Sequence, residues 1–151
     1  MRIGMGSLAL LIVLAARAGL GFAGEARPLH PFSVLDAEYR LAQRYDIGDT
    51  VPQNFALAAY WYHHAAERGY APAQLALAQC YERGRGVAPD PILTYMWADL
   101  AASRMDRETP EGDFAQGYRD YTRSRLRAPD VVQAQEMATA WRPVDVAIAG
   151  P

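Results

Sequence analysis

The middle of the chain contains the same pattern twice, with a spacing of 36 residues. Residues 37–68 align without a gap to residues 73–104, and the two copies share Trp, Tyr, Gly and Ala-Ala positions. A fixed period of about 20–50 residues is typical of repeat proteins, whose units bury their apolar faces only by stacking on each other. The pattern therefore predicts a solenoid, which offers a binding surface more readily than an enclosed active site. The identical positions are Ala37/Ala73, Leu41/Leu77, Ala42/Ala78, Gln43/Gln79, Tyr45/Tyr81, Gly48/Gly84, Val51/Val87, Leu57/Leu93, Trp61/Trp97, Ala65/Ala101, Ala66/Ala102 and Arg68/Arg104.

Each copy has the spacing of two helices joined by a short loop. In the first copy, Ala37, Leu41 and Tyr45 recur at i, i+4 and i+8, which predicts the inward stripe of a helix. That helix starts near Val34 and is ended by Gly48. A second helix follows, with Asn54 as its N-cap, Leu57, Trp61 and Ala65 as its face, and Gly69 as its end.

The second copy repeats this order. The first helix carries Ala73, Leu77 and Tyr81 and stops at Gly84. Asp90 is predicted to cap the next helix, with Pro91 at the first helical position, where the missing N–H of proline is tolerated. Its face is Leu93, Trp97 and Ala101.

The repeated pattern ends after Arg104, and residues 105–112 are predicted to form a polar loop. Two further helices are expected, over residues 113–127 and from Pro129-Asp130 to Pro143, and we interpret 113–141 as a degenerate closing pair. The predicted fold class is all-α: an α/α superhelical solenoid of antiparallel helix pairs. The repeats span 37–72 and 73–108 within a domain at 34–143, and 144–151 form a tail.

The first 23 residues have the composition of a secretory signal. Arg2 gives a positive start, residues 8–16 are an unbroken apolar run, and Gly21-Phe22-Ala23 ends in the small residues that a signal peptidase reads. Cleavage after Ala23 predicts a periplasmic or secreted protein without stable membrane insertion, with a linker at 24–33. A membrane anchor is the alternative, although Arg17 interrupts the run well before the roughly 20 residues that span a bilayer.

The charge balance argues against a nucleic-acid partner. The net charge is −2, and all 15 basic residues are Arg; nucleic-acid binders are typically basic. Cys80 is the single cysteine, so it is either buried as a small apolar residue or pairs between molecules.

Both copies resemble the Sel1-like repeat, an α/α solenoid related to tetratricopeptide repeats. The second copy carries the resemblance most fully, as Leu77-Ala78-x-x-Tyr81-x-x-Gly84-Arg85-Gly86-Val87-x-x-Asp90, then Trp97 and Ala101-Ala102. The first copy departs from it at Thr50, which stands where the second has Gly86, so we expect a wider first loop. The resemblance implies an interaction scaffold, and in exported bacterial members it implies a role in the cell envelope.

The sequence offers little for catalysis or metal binding. His63 and Glu67 are spaced i, i+4 on one helix beside His64, but two ligands are too few for a metal site and a solvated face is the interpretation we favour. No nucleophile motif is present, and no cofactor is expected. The alternative to a scaffold is a peptidoglycan- or β-lactam-active hydrolase of the Sel1-like type. Members reported with penicillin-related activity have paired cysteines, and the lone Cys80 argues against that class.

The predicted partner surface is the concave face of the first helix in each pair. Residues that point away from the inward stripes are the candidates, and the expected partner is another envelope protein or a peptide. The Gln43/Gln79 identity is the sharpest hint, since packing does not require Gln there. The sequence does not determine the oligomeric state, and stacking of one solenoid on another remains an alternative. The candidate residues are Tyr39, Gln43, Asp46, Leu75, Gln79 and Glu82.

Overall fold

A computed structural model describes residues 31–144, which form six α-helices and no strand. The predicted signal (1–23), most of the predicted linker and all of the predicted tail except residue 144 lie outside the described residues. The first helix begins at Pro31, inside the segment predicted as linker. None of the helices in the described range is both long and apolar enough to cross a membrane. The helices are α1 (Pro31–Ile47), α2 (Phe55–Glu67), α3 (Ala71–Arg83), α4 (Pro91–Arg104), α5 (Pro110–Ser124) and α6 (Ala128–Ala140).

The predicted helix ends of the two repeats are confirmed by their caps. Asn54 Oδ1 accepts a hydrogen bond from the Leu57 amide at 3.0 Å, and Asp90 Oδ1 accepts from Ile92 and Leu93 at 2.9 and 3.0 Å. These bonds satisfy amides that have no partner within the helix. Gly84 ends α3 in the left-handed conformation, with φ of 66°.

The two helices after the repeats start earlier than predicted. The Thr109 hydroxyl caps α5 by accepting a hydrogen bond from the Gly112 amide at 3.1 Å, and Pro110 takes the first helical position. The prediction of a loop at 105–112 is therefore wrong for residues 110–112, which belong to α5. Helix α6 begins at Ala128, and Asp130 lies within its first turn. There the Asp130 carboxylate binds the Arg127 guanidinium at 2.8 Å.

The two loops within the repeats keep the same backbone shape despite different sequences. Gly84 and Gly86 both have positive φ, and the equivalent Gly48 and Thr50 do as well. Thr50, at φ 64°, is the one non-glycine residue of the described range in this conformation. The expectation of a wider first loop is therefore wrong: the exposed Thr50 adopts the strained conformation that glycine adopts in the second loop.

We expect Thr50→Gly to stabilise the protein by about 1 kcal/mol. A β-branched residue at positive φ is strained, and the relief outweighs the extra freedom that glycine gives the unfolded chain. Thermal unfolding followed by circular dichroism measures the change, and Thr50→Ala is the control that removes the branching but keeps the Cβ. An unchanged or lower melting temperature for Thr50→Gly would contradict this account.

Packing follows the repeat order up to α4 and then changes. Helices α1 and α2 pack as a pair, as do α3 and α4, and α2 packs on α3 between them. Helices α5 and α6 each pack on α4, while they make little contact with each other. Helix α4 is consequently the most enclosed element, with its core made of Thr94, Tyr95, Met96, Trp97, Ala98, Leu100, Ala101 and Ala102.

The predicted inward stripes are correct for the second repeat and partly wrong for the first. Ala73 and Leu77 are fully buried, whereas the equivalent Ala37 is exposed and Leu41 is only half-buried. The reason is position: α2 packs on α3, while no described helix precedes α1. On α2 the buried arc is Ala58, Ala59, Tyr62, Ala65 and Ala66, so Leu57 stays 39% exposed.

Candidate functional site

Tyr39 turns into the protein and does not point outward as predicted. Its ring lies 5.6 Å from the ring of Tyr62 and 5.6 Å from that of Tyr70, which ties together α1, α2 and the start of α3. Burial and the nearby Asp36 carboxylate raise the pKa of Tyr39, partly offset by a hydrogen bond with Gln43. One edge of Tyr39 still reaches the surface, where it lines a groove.

That groove crosses the first helix of each pair and the helix that follows the repeats. Its volume is about 330 Å³, and we call it the A-helix groove. Tyr39 comes from α1, Leu75 from α3 and Phe114 from α5, so three helices supply one apolar surface. Glu111 is the single charged residue among the residues that line it. The complete lining is Tyr39, Pro72, Leu75, Met105, Pro110, Glu111 and Phe114.

Two of the six predicted candidates, Tyr39 and Leu75, therefore meet in one groove. Gln43 lies next to Tyr39 on α1. Gln79 lies elsewhere and lines a small cavity of about 30 Å³ together with Asp46 and Cys80. The Gln43/Gln79 identity thus does not correspond to one continuous binding surface.

The two acidic residues among the predicted candidates, Asp46 and Glu82, bind other side chains of the same chain. Asp46 binds the Arg85 guanidinium at 2.9 Å, which joins α1 to the loop of the second repeat. Glu82 accepts a hydrogen bond from the Tyr118 hydroxyl at 2.8 Å, which joins α3 to α5. Burial together with this carboxylate raises the pKa of Tyr118, so the hydroxyl remains protonated and able to donate. Both acids hold neighbouring helices together, in addition to any role toward a partner.

The residues considered for chemistry are in unreactive settings. Cys80 is buried, and burial raises the pKa of its thiol to about 11, so the reactive thiolate is scarce at neutral pH. The imidazoles of α2 pair with carboxylates: His64 Nδ1 lies 3.1 Å from Glu38 and His63 Nδ1 lies 3.6 Å from Glu67. Within residues 31–144 no cluster of three or more His, Cys, Asp or Glu residues is placed to hold a metal ion.

Phe114 is the site residue that the sequence interpretation missed. It is 53% exposed, and its ring stacks on Tyr118 with the centroids 6.0 Å apart. Tyr121 continues the row at 6.3 Å from Tyr118. The spacing i, i+4, i+7 of these three aromatic residues was visible in the sequence. What was not visible is that α5 places the first of them beside Leu75.

Comparison with known proteins identifies the repeat. The Sel1 repeat family model matches residues 35–70 and 71–104, which correspond to the two copies of the 36-residue pattern. The chain therefore contains two Sel1 repeats. These repeats supply α1 to α4, while α5 and α6 lie beyond the matched residues.

One solved structure shows the same fold over most of this chain. A protective antigen present in uropathogenic Escherichia coli strains, described as displaying an SLR fold, matches with a TM-score of 0.65 and 27% identity. The alignment covers 71% of this chain and 22% of the antigen, so the chain corresponds to about a fifth of that protein's length. A Sel1 repeat protein from Oxalobacter formigenes aligns over 85% of this chain and 97% of its own, with 23% identity and a TM-score of 0.44. No curated protein matches.

The family sets the general class of function. Sel1-repeat proteins generally act as protein-interaction scaffolds, and the fold is typically non-catalytic. The A-helix groove agrees with that class, because it is apolar, shallow and built from several helices without a nucleophile in its lining.

Proposed function

We propose that this Sel1-repeat protein is an exported, non-catalytic scaffold of the bacterial envelope that binds a partner protein or peptide in the A-helix groove. The observation that carries the proposal is the joining of Tyr39, Leu75 and Phe114 from three helices into one apolar surface. Small apolar pockets that accept an anchoring side chain are where binding energy concentrates at protein interfaces.

The chemistry of the groove indicates the kind of segment that binds. Leu75, Met105 and Phe114 offer an apolar contact surface, and Pro72 and Pro110 add rigid walls at low entropic cost. Because Glu111 is the single charged residue in the lining, an apolar side chain with a basic neighbour is the best match.

Export is proposed on the first 23 residues. They combine Arg2, an apolar run at 8–16 and small residues before position 24, in the order of a cleavable signal. A scaffold delivered by such a signal works among envelope proteins, and this sets the compartment in which a partner is to be sought.

The test is capture of a partner in the native envelope. The full chain with a C-terminal tag is expressed in its host, recovered from the envelope fraction and crosslinked, and captured proteins are identified by mass spectrometry. We expect Leu75→Asp and Phe114→Asp each to lower capture at least about tenfold, since a charge forced into an apolar interface costs more than 1.4 kcal/mol.

Val132→Asp on α6 is the matched control. Val132 is 53% exposed, as is Phe114, but it lies outside the A-helix groove. Undiminished capture by both groove variants would refute the groove as the binding site. Retention of the chain in the cytoplasm with its signal intact would refute export.

A further inference from the structure

A polar pocket lies at the far end of two of the helices that form the A-helix groove. Its volume is about 200 Å³, and we call it the α3–α5 pocket. It is lined by Tyr81 and Glu82 near the end of α3, by Thr122 and Arg125 at the end of α5, and by the start of α4. It shares no lining residue with the A-helix groove.

The pocket and the A-helix groove lie along the same faces of α3 and α5. Leu75 lines the groove and Glu82 lines the pocket, and their i, i+7 spacing places both on one face of α3. On α5, Phe114, Tyr118 and Tyr121 follow each other at i, i+4 and i+7. The Tyr118 hydroxyl donates to the Glu82 carboxylate at 2.8 Å, which closes the floor between the two helices. A valley therefore leads from the groove to the pocket, with Phe114 and Tyr121 exposed along it.

The lining of the α3–α5 pocket offers mainly hydrogen-bond acceptors. The Thr94 hydroxyl already donates to the Asp90 carbonyl at 2.7 Å, so it presents only lone pairs to a ligand. The Thr122 hydroxyl likewise donates to the Arg119 carbonyl at 2.9 Å. Glu82 and Asp90 add two carboxylates. A positively charged group with several N–H donors satisfies such a lining best.

Arg125 is the single basic residue in the lining, and it is held mainly by Tyr121. Its guanidinium lies 5.4 Å from the centroid of the Tyr121 ring and donates a hydrogen bond to the Tyr121 hydroxyl. The Arg125 side chain is 64% exposed and lies 3.8 Å from the Glu82 carboxylate, which is beyond the length of a hydrogen bond. Two carboxylates thus share one loosely held guanidinium, and the resulting negative charge complements a basic ligand.

We propose that the α3–α5 pocket binds an arginine side chain of the partner segment whose apolar residue binds in the A-helix groove. This inference rests on the proposed function, because the groove supplies the second anchor. An arginine brings the positive charge and the several donors that the acceptors of the pocket require. It is a different residue from the basic neighbour that Glu111 favours beside the apolar anchor.

The distance between the two anchors indicates the conformation of the segment. From Leu75 to Glu82 the helix rises about 10.5 Å at 1.5 Å per residue, and three residues of polyproline II cover about 9 Å at 3.1 Å each. Residues three apart in polyproline II share one side, and exposed aromatic rings such as Phe114 and Tyr121 bind that conformation. The ligand is therefore a proline-rich segment with an apolar residue and an arginine three positions apart.

A blocked amino acid tests the pocket alone. N-acetyl-L-arginine amide is titrated into the isotope-labelled full chain, and the backbone amide signals of Thr94 and Thr122 are followed by NMR. We expect both signals to shift and to saturate in the millimolar range, while that of Val132 on α6 stays in place. N-acetyl-L-citrulline amide has nearly the same shape without the charge and should bind at least about tenfold more weakly. Equal binding of the two compounds, or no shift at either threonine, would overturn the proposal.

Substitutions that remove a charge but keep the local hydrogen bonds test the two carboxylates. Glu82→Gln still offers an oxygen to the Tyr118 hydroxyl, and Asp90→Asn still caps α4, because Asn and Asp cap helices equally well. Each should weaken binding of the arginine amide about fivefold, whereas Arg125→Gln should strengthen it by removing a competing cation. Glu136→Gln on the exposed surface of α6 is the matched control and should change nothing. An equal loss in the Glu136 and Glu82 variants would contradict binding in the pocket.

Short peptides test the joining of the pocket to the A-helix groove. The acetylated amides of Leu-Pro-Pro-Arg and of the reverse order, Arg-Pro-Pro-Leu, are compared with the arginine amide. One of them should bind at least about tenfold more tightly, because its second anchor binds within the same molecule. A third proline between the anchors turns them to different sides and should remove most of this gain. Leu75→Asp should abolish the gain and leave binding of the arginine amide unchanged.

Failure of the pocket and failure of the groove give different results. Equal affinities for the arginine amide and both peptides would overturn the proline-rich segment as the ligand. Undiminished capture by Leu75→Asp and Phe114→Asp in the envelope would refute the A-helix groove, while the NMR signals of Thr94 and Thr122 report on the pocket independently.

Discussion

Gly86→Ala is expected to lower the free energy of unfolding by about 3 kcal/mol or more. A Cβ at Gly86 would stand 1.9 Å from the carbonyl oxygen of Phe55 and 2.4 Å from its carbonyl carbon, so the loop of the second repeat has to move away from the start of α2. The residue also has φ of 76°, which adds strain for any side chain. Chemical denaturation measures the loss, and the melting temperature should fall by roughly 10 °C.

Gly117→Ala is the matched control for this prediction. Gly117 lies inside α5, and a Cβ there meets no atom within 4 Å. Because alanine favours a helix over glycine by about 1 kcal/mol, this variant should be slightly more stable than the parent protein. If Gly86→Ala is as harmless as Gly117→Ala, the loop does not press on α2 as the structure shows.

The surroundings of Gly86 and Thr50 explain why this loop position requires glycine in the second repeat and not in the first. Gly86 and Thr50 are equivalent and share a left-handed backbone. In the second repeat the loop packs on the preceding helix α2, whereas Thr50 is exposed. The first loop can therefore carry a side chain at the cost of backbone strain, while the second cannot.

The sequence predicted what depends on local chemistry. The number of helices, the caps at Asn54 and Asp90 and the stops at Gly48 and Gly84 all follow from residues close to each other in the chain. The start of α5 was predicted wrongly because Thr109-Pro110, a good cap followed by a good first residue, was interpreted as loop. That signal was local too, and could have been used.

What the sequence did not predict depends on neighbours in space. Ala37 and Ala73 are identical in sequence, but α2 packs on α3 while no described helix precedes α1. Tyr39 was expected to point to the concave face, away from the inward stripe, and instead packs on Tyr62 and Tyr70. Helical periodicity alone gives the spacing of a stripe, not which of several possible stripes meets the next helix.

The candidate site was predicted in part for the same reason. Tyr39 and Leu75 were selected as repeat equivalents, and both line the A-helix groove. Phe114 was not selected, because it lies beyond the repeated pattern and its position depends on how α5 packs on α4. The engagement of Asp46 by Arg85 and of Glu82 by Tyr118 likewise depends on contacts between repeats.

The equivalent residues Trp61 and Trp97 allow the difference in burial between the two repeats to be measured. Trp97 is 4% exposed, and its ring centroid lies 6.1 Å from that of His63 and 6.2 Å from that of Trp141. Its equivalent Trp61 is only half-buried, and its aromatic neighbours are Tyr60 and His64 of its own helix. Trp141, the residue that follows α6, thus covers Trp97, whereas within the described residues no ring from another helix packs on Trp61 in this way.

Trp97→Ala should therefore cost about 4 kcal/mol and Trp61→Ala about half of that, since a fully buried aromatic ring leaves a larger cavity. Trp141→Ala, measured alone and with Trp97→Ala, should show a coupling of about 1 kcal/mol, as expected for two aromatic rings in contact. Equal losses for Trp61→Ala and Trp97→Ala would mean that the repeat position itself sets the burial. A coupling near zero would mean that Trp141 stabilises α4 through other contacts than this ring pair, such as that with Arg104, whose guanidinium lies 4.7 Å from the Trp141 ring.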